Sequence, residues 1–299
     1  MAQTLELLTR RTETLRSIRG IVRTMKTMSA INARPYEQAA QAIEAYHDTV
    51  LDGLHAFLHR TGALPPVAQP DAMPVIIAFG SDLGLCGNYN EILATETARA
   101  MTLLPASRVI CIGVQMEDAL TGLGMVPLAT LLPPATADGL GRLAGDLIAR
   151  IDAIRRDDIS AAISVTLVFM RRAEHGQQSP IAQQLLPLDP ELISALAARP
   201  WNSRSLPHFS LPPDALLSAL VRNFLFAGLF RAAAEALVTE NAARLARMQQ
   251  AEQSVEDRLE ELICDTRSVR QSEITTELLD VIIGFEALKD RDRRKTGER

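Results

Sequence analysis

At 299 residues the chain is about twice the usual length of one domain, so one large domain or two modest ones both fit. Its 31 Lys and Arg against 36 Asp and Glu leave a net charge of −5, which excludes an overall balance built to grip nucleic acid, and 4% aromatics leave little for base stacking. Of the 16 prolines, 15 lie between Pro65 and Pro213 and the other is Pro35, so both chain ends are nearly free of helix breakers.

Cys86, Cys111 and Cys264 are far apart and fit no metal-ligand spacing or disulfide framework, which points to a reducing compartment. The first 20 residues lack an apolar core of signal-peptide length, and no run approaches the roughly 20 apolar residues of a spanning helix. The expectation is a soluble intracellular chain with no direct membrane insertion, free to dock on a membrane-bound assembly.

From Thr4 to about Arg60 the sequence reads as helix, with Leu5, Leu8, Leu15, Ile18, Val22, Met25 and Met28 at three- and four-residue spacings. Residues 1–34 carry seven Arg or Lys against two Glu, so the polar side of this helix is basic. Pro35 should kink or break it, and the segment from Gly62 through Pro66 should end it.

The middle alternates short apolar runs with helical stretches. Strands are expected at Pro74–Phe79, Arg108–Val114, Met125–Leu131 and Ala162–Met170, with Ile181–Leu188 pairing to the last of these. Helices are expected over 91–103, 116–122 and 138–155. Such alternation predicts a small α/β domain with a largely parallel sheet.

Residues 191–213 read as a Pro-punctuated connector. Beyond Pro213 no proline follows, and Leu220, Phe224, Ala227, Ala234, Val238, Leu245, Met248, Val255, Leu259, Leu262 and Val269 recur at coiled-coil spacing. A helix over 214–288 would be roughly 110 Å long at ~1.5 Å per residue, and the only intramolecular partner of suitable length is the N-terminal helix. The expected fold is an α/β domain inserted between two long terminal helices that form an antiparallel coiled coil. Its parts are the helix over 1–60, the domain over 72–190, the connector, the helix over 214–288 and a charged tail over 289–299.

Between Ile274 and Leu288 the apolar residues, Leu278, Ile282 and Phe285 among them, surround the helix at about 100° per residue instead of forming one stripe. Such a tip needs enclosure. A local bundle or self-association is one reading; an apolar socket in a partner protein is the sharper one.

Little here points to catalysis. Ser81-Asp82-Leu83-Gly84-Leu85-Cys86-Gly87-Asn88 follows the first strand, where α/β folds place phosphate loops, but neither GxGxxG nor GxxxxGK[ST] is present. A structural turn with glycines at positive φ is the better reading. Cys86 has no base nearby in sequence and reads as a buried small hydrophobe. His55 and His59 stand at i, i+4 without a third ligand and read as exposed helix residues. Glu252, Glu256, Asp257, Glu260 and Glu261 read as a solvated coil face. No catalytic residue, cofactor or metal is expected.

Four ordered motifs nevertheless carry a resemblance. Arg270-Gln271, then Ile274-Thr275-Thr276-Glu277, Asp280 and Gly284-Phe285-Glu286-Ala287 are similar to the C-terminal signature of the γ subunit of F-type ATP synthases. Thr239-Glu240 with Arg244 and Met248 resembles that family's Ser-Glu-x-x-Ala-Arg-x-x-Ala-Met. Ser81-Asp82-x-Gly84-Leu85-Cys86-Gly87-x-x-Asn90 is close to its central motif, and Arg16-Ser17-Ile18-Arg19 continuing to Lys26-Thr27-Met28 resembles its N-terminal one. Pro35, Phe285 in place of a small residue, and the tail from Lys289 depart from the pattern and mark a divergent branch, such as an alternative ATPase paralogue.

The resemblance implies a non-catalytic rotor shaft inside a ring of α and β subunits, coupling ion-driven rotation to their nucleotide states, at the cytoplasmic face of the cell membrane. By the same implication Arg270, Gln271, Thr275 and Glu277 meet the β loop that catches the shaft, with Leu278, Ile282 and Phe285 in the ring. Met28 sits near the β lever, and the basic first helix complements acidic β segments. The α/β domain becomes a foot for an ε-type subunit and the c-type membrane ring, in which Ser81, Asp82, Gly84, Leu85, Cys86, Gly87 and Asn90 are fold residues. The alternative reading is an α/β nucleotide-binding enzyme with a helical arm.

Overall fold

In a computed structural model, residues 2–62, 72–157, 162–172 and 177–296 are described. Helix α1 (Ala2–Thr61) precedes β1 (Met73–Phe79), α2 (Tyr89–Leu103), β2 (Arg108–Ile112), α3 (Val114–Gly122) and β3 (Ala129–Leu131). After one 3-10 turn come α4 (Leu140–Asp157), β4 (Ile163–Arg172), β5 (Gln178–Leu186), α5 (Pro190–Ala198) and α6 (Pro213–Thr296). Two compact units result: one from Met28 to Arg247, the other from α1 up to Thr27 together with α6 from Met248 onward.

The unit from Met28 to Arg247 is built on a five-stranded sheet ordered β3-β2-β1-β4-β5. β1 pairs parallel with β2 and β4, β2 pairs parallel with β3, and only β5 runs antiparallel, beside β4. Because side chains alternate across a strand, each central strand serves two cores. Val75, Ile77 and Phe79 of β1, Ile110 and Ile112 of β2, and Val165, Leu167 and Phe169 of β4 pack with α4 and the α1 and α6 segments of this unit. Ile76, Ala78, Val109, Cys111, Val168 and Met170 pack on the other face with α2 and α3. Burial on both faces explains why the strands read as continuous apolar runs.

Within this unit α1 and α6 run antiparallel: Tyr46 meets Phe226 edge-on with ring centroids 6.3 Å apart, and Gly53 lies so close to Leu220 that a Cβ would crowd it. One 18-residue window of α6 reaches a mean hydropathy of 1.4, apolar enough by composition to cross a bilayer, which counting uninterrupted apolar residues does not register. That window is 28% buried, and within α6 Leu225, Leu229, Ala232, Ala233 and Leu237 lie in the sheet core.

Several sequence expectations are corrected. Pro35 does not break α1, which is helical on both sides of it. Pro35 and Ile31, whose carbonyl loses its helical donor, both lie on the exposed side, where water can satisfy that oxygen. The next residue, Tyr36, is 4% exposed and donates to the Pro134 carbonyl at 2.9 Å, which holds this stretch of helix against the sheet domain.

The connector begins with a helix, α5, where Asp189 caps by accepting from the Glu191 N–H at 2.9 Å. The third strand is shortened to Ala129–Leu131, and helical backbone continues through the expected tail to Thr296. The last three residues of that tail, and residues 63–71 beyond the helix stop at Gly62, lie outside the described residues.

His55 is not exposed. It is 5% accessible, with Nε2 3.0 Å from the Arg199 carbonyl, and its ring and that of His59 lie 5.4 and 5.3 Å from the Trp201 ring. A tertiary partner 144 residues away buries it, which helical spacing could not reveal.

Replacing Pro35 by Ala restores a helical hydrogen bond. The expected gain is about 2 kcal/mol, a helix-interior penalty of about 3 less the ~1 that proline's stiffness removes from the unfolded chain. Urea unfolding followed by circular dichroism measures it.

Candidate functional site

Two regions carry the sequence motifs. In the unit from Met28 to Arg247, the Ser81–Asn90 turn joins β1 to α2 and docks on α6. The Ser81 N–H donates to Asn90 Oδ1 at 2.9 Å, and Asn90 Nδ2 returns a bond to Ser81 Oγ at 2.8 Å. Cys86 is buried, its Sγ 3.4 Å from Ser81 Oγ, and burial pushes its thiol above the ordinary range. Leu85 at φ 66° and Gly87 at φ 70° turn the chain; at Gly87 a Cβ would also collide with Arg247 of α6. Ser81 O accepts from the Gln115 N–H at 3.1 Å, and Val114 N–H reaches Asp82 Oδ1 at 3.5 Å, so the turn also fixes the start of α3.

The second motif meets this turn directly. Arg244 donates to the carbonyls of Leu83 at 3.0 Å and Gly84 at 3.3 Å and pairs with Glu240 at 2.5 Å. Arg244 and Glu240 are 6% and 5% exposed. Burial pushes the Glu240 carboxyl up while Arg244 holds it down, and Glu240 Oε2 has no hydrogen-bond partner. Tyr89 OH donates to the Ala236 carbonyl at 2.9 Å and lies 3.1 Å from Thr239 Oγ1. The glycine turn and the Thr-Glu…Arg motif are thus two halves of one joint.

The other unit is a two-helix seam. On α6, Met248, Glu252, Val255, Leu259, Leu262, Thr266, Val269 and Glu273 alternate at four- and three-residue spacings, and all are buried or half-buried. On α1 the matching positions are Leu8, Thr12, Leu15, Arg19, Val22 and Lys26. Ile18 is instead 39% exposed, and Met28, in the other unit, is 56% exposed.

Glu252 and Glu256 are not a solvated face. Glu252 accepts from Arg23 Nε at 2.7 Å and Lys26 Nζ at 2.5 Å, and Arg23 Nη2 reaches Glu256 at 2.7 Å. Hydrogen bonds from Lys26 and Arg23 hold the Glu252 carboxyl below the usual carboxylate range.

Along the last turn of the seam and beyond it every predicted contact residue of α6 is exposed: Arg270, Gln271, Thr275, Glu277, Leu278, Ile282 and Phe285. Ile274, Leu278, Leu279, Val281, Ile282, Ile283 and Phe285 are between 49% and 70% exposed. Single exposed apolar residues are ordinary, but seven around one helix end are a surface that demands a cover.

The architecture defines a class: a chain whose two end helices pair, an α/β domain looped out between them, and an apolar helix end left bare. Comparison with known proteins narrows it. A family model described as "ATP synthase" matches residues 4–288. The ATP synthase gamma chain of Dinoroseobacter shibae is 26% identical over 294 residues, spanning 93% of this chain and 97% of that one. The gamma chain of Nitratidesulfovibrio vulgaris is 29% identical over 220 residues, 72% and 73% of the two chains. Among solved structures, a chain of the Euglena gracilis mitochondrial ATP synthase superposes with a TM-score of 0.64 at 16% identity, covering 96% of this chain and 95% of that one. A chain of the Tetrahymena thermophila central stalk and c-ring structure superposes with a TM-score of 0.54 at 14% identity, covering 77% and 99%. The chain belongs to the ATP synthase gamma family.

Removing Arg244 strands a buried carboxylate, so Arg244→Met loses about 3 kcal/mol of stability at neutral pH. The loss shrinks as pH falls toward about 4, because Glu240, raised further without its cation, is then protonated in the folded state and no charge stays buried. Urea denaturation of both proteins at pH 7.5 and 5 checks both the size and the sign.

Proposed function

We propose that this chain turns inside a ring of α and β subunits and transmits rotation to their nucleotide sites without chemistry of its own. The observation that carries this reading is the all-round apolar end of α6, exposed from Ile274 to Phe285. Apolar attraction is non-directional, so a smooth apolar sleeve holds such a tip at every angle with few directional bonds to break.

Direction comes from polar residues just before it and in its first turn. Arg270, Gln271, Thr275 and Glu277 stand exposed on α6, and they meet one β subunit at a time. A rotor with unlike sides binds the three β subunits differently, and only such differential binding shifts their nucleotide affinities. Met28, also exposed, faces the β lever, and the basic first helix complements acidic β segments.

The sheet domain serves as the foot for an ε-type subunit and the c-type ring, at the cytoplasmic face of the membrane. A phosphate-binding role for the Ser81–Asn90 turn is disfavoured by two carbonyls, those of Leu83 and Gly84, converging on Arg244, and by the Ser81 N–H being held by Asn90.

Placing Asp at both Ile282 and Phe285 puts charge into the sleeve. Association with cognate α and β subunits weakens tenfold or more, a cost above about 1.4 kcal/mol, while the isolated chain keeps its circular dichroism. Unchanged assembly of a pumping complex would sink the sleeve reading.

A further inference from the structure

Lys26 and Glu252 occupy seam positions of their helices, where the four-three pattern also places Leu8, Thr12, Leu15, Arg19 and Val22 on α1 and Met248, Val255 and Leu259 on α6. Their side chains are 36% and 15% exposed and meet at 2.5 Å. Arg23 extends the contact by gripping Glu252 and, one turn further, Glu256. Each oxygen of Glu252 therefore has its own cation, and the two cations stand three residues apart on α1.

Such a cluster fixes register. Packing in the sheet unit fixes α1 against α6 only between Met28 and Arg247. In the other unit apolar side chains repeat every heptad, so a seam held by them alone tolerates a slide of seven residues taken up by a local bulge in one helix. Lys26 and Glu252 forbid it in both directions. Slid one way, Lys26 comes opposite Leu245 while Glu252 meets Arg19; slid the other, Lys26 comes opposite Leu259 and Glu252 opposite Ala33. Either slide leaves at least one charge half-buried against an alkyl side chain, the arrangement that desolvation penalises. A single polar seam pair that sets register at some expense of stability is the best-attested use of such a group.

We propose that Lys26 and Glu252, supported by Arg23 and Glu256, are the register key of the helix pair, positioning residues that stop one helix creeping along the other under load. This rests on the rotor reading for its purpose, but the register claim stands on the chain alone. A shaft whose helices creep loses part of each rotational step as internal slip, so hydrolysis continues while less of it is converted into ion movement.

The test replaces the key with an apolar pair, Lys26→Leu with Glu252→Leu. Spin labels go on the full-length chain at the exposed native Cys264 and at Thr14→Cys, exposed on α1; Cys86 and Cys111 are buried and stay unlabelled. The parent gives a single distance by double electron–electron resonance, as does Lys26→Arg. The Leu pair is at least as resistant to urea yet shows a second population displaced by one heptad, about 10 Å along the axis. A single unshifted distance in the Leu pair would overturn the register claim whatever the assembled enzyme does.

In the reconstituted complex the Leu pair is expected to hydrolyse ATP at no less than half the parental rate while pumping per ATP falls at least twofold. Slipped distances with pumping per ATP unchanged would overturn the role under load. Failure of the parental chain to join α and β subunits would instead count against the rotor reading, leaving the distance result to decide the register claim.

Discussion

Neither terminal helix can hide its own apolar stripe. A long amphipathic helix alone in water is marginal however good its propensity, because most helical stability in proteins comes from packing the apolar face. Here the stripes sit at opposite ends of the chain, on α1 and α6, and each is the other's cover in both units. That requirement brings residue 23 to residue 252 and residue 46 to residue 226. Everything between must then leave and return as a closed domain, and the sheet with its two apolar faces is what such a segment can form.

Polar residues inside these contacts decide how the parts join. Arg244 and Glu240 occupy a buried stretch of α6 and hold two carbonyls of the Ser81–Asn90 turn. Lys26 and Glu252 occupy the two-helix seam. In each case hydrophobic burial supplies the attraction and a charged pair ties the elements together at fixed positions. The difference is environment: Glu240 is pushed toward its neutral form by burial, whereas Glu252, bridged by two cations near the surface, is held ionised.

The end of α6 follows the opposite logic. From Ile274 to Phe285 the chain spends apolar side chains on a surface that nothing in its own unit covers among the described residues. Under the proposed rotor role, enclosure by other subunits would give that surface its purpose. The motifs rich in Gly and Arg in the sheet unit serve a joint within it, where Arg244 holds the Leu83 and Gly84 carbonyls.

How much was legible from sequence follows from what each signal depends on. Period and proline placement are local, so the two long helices, the strands through Phe79, Ile112 and Met170, and the bare tip were readable from residues alone, and the ordered motifs named the family. Pro35 does not end α1, because the carbonyl it strands lies on the exposed side, where water can satisfy it. His55 misled because its cover, Arg199 and Trp201, lies in the connector. Glu252 read as solvated because hydropathy cannot tell a seam carboxylate from a surface one until its cations arrive from 226 and 229 residues away. The amino-acid order alone therefore determined the elements and their apolar faces, which are properties of neighbours along the chain. Only the tertiary structure decided which polar groups were buried, which motifs met as one joint, and in what register the helices lock, because those depend on residues that folding alone brings together.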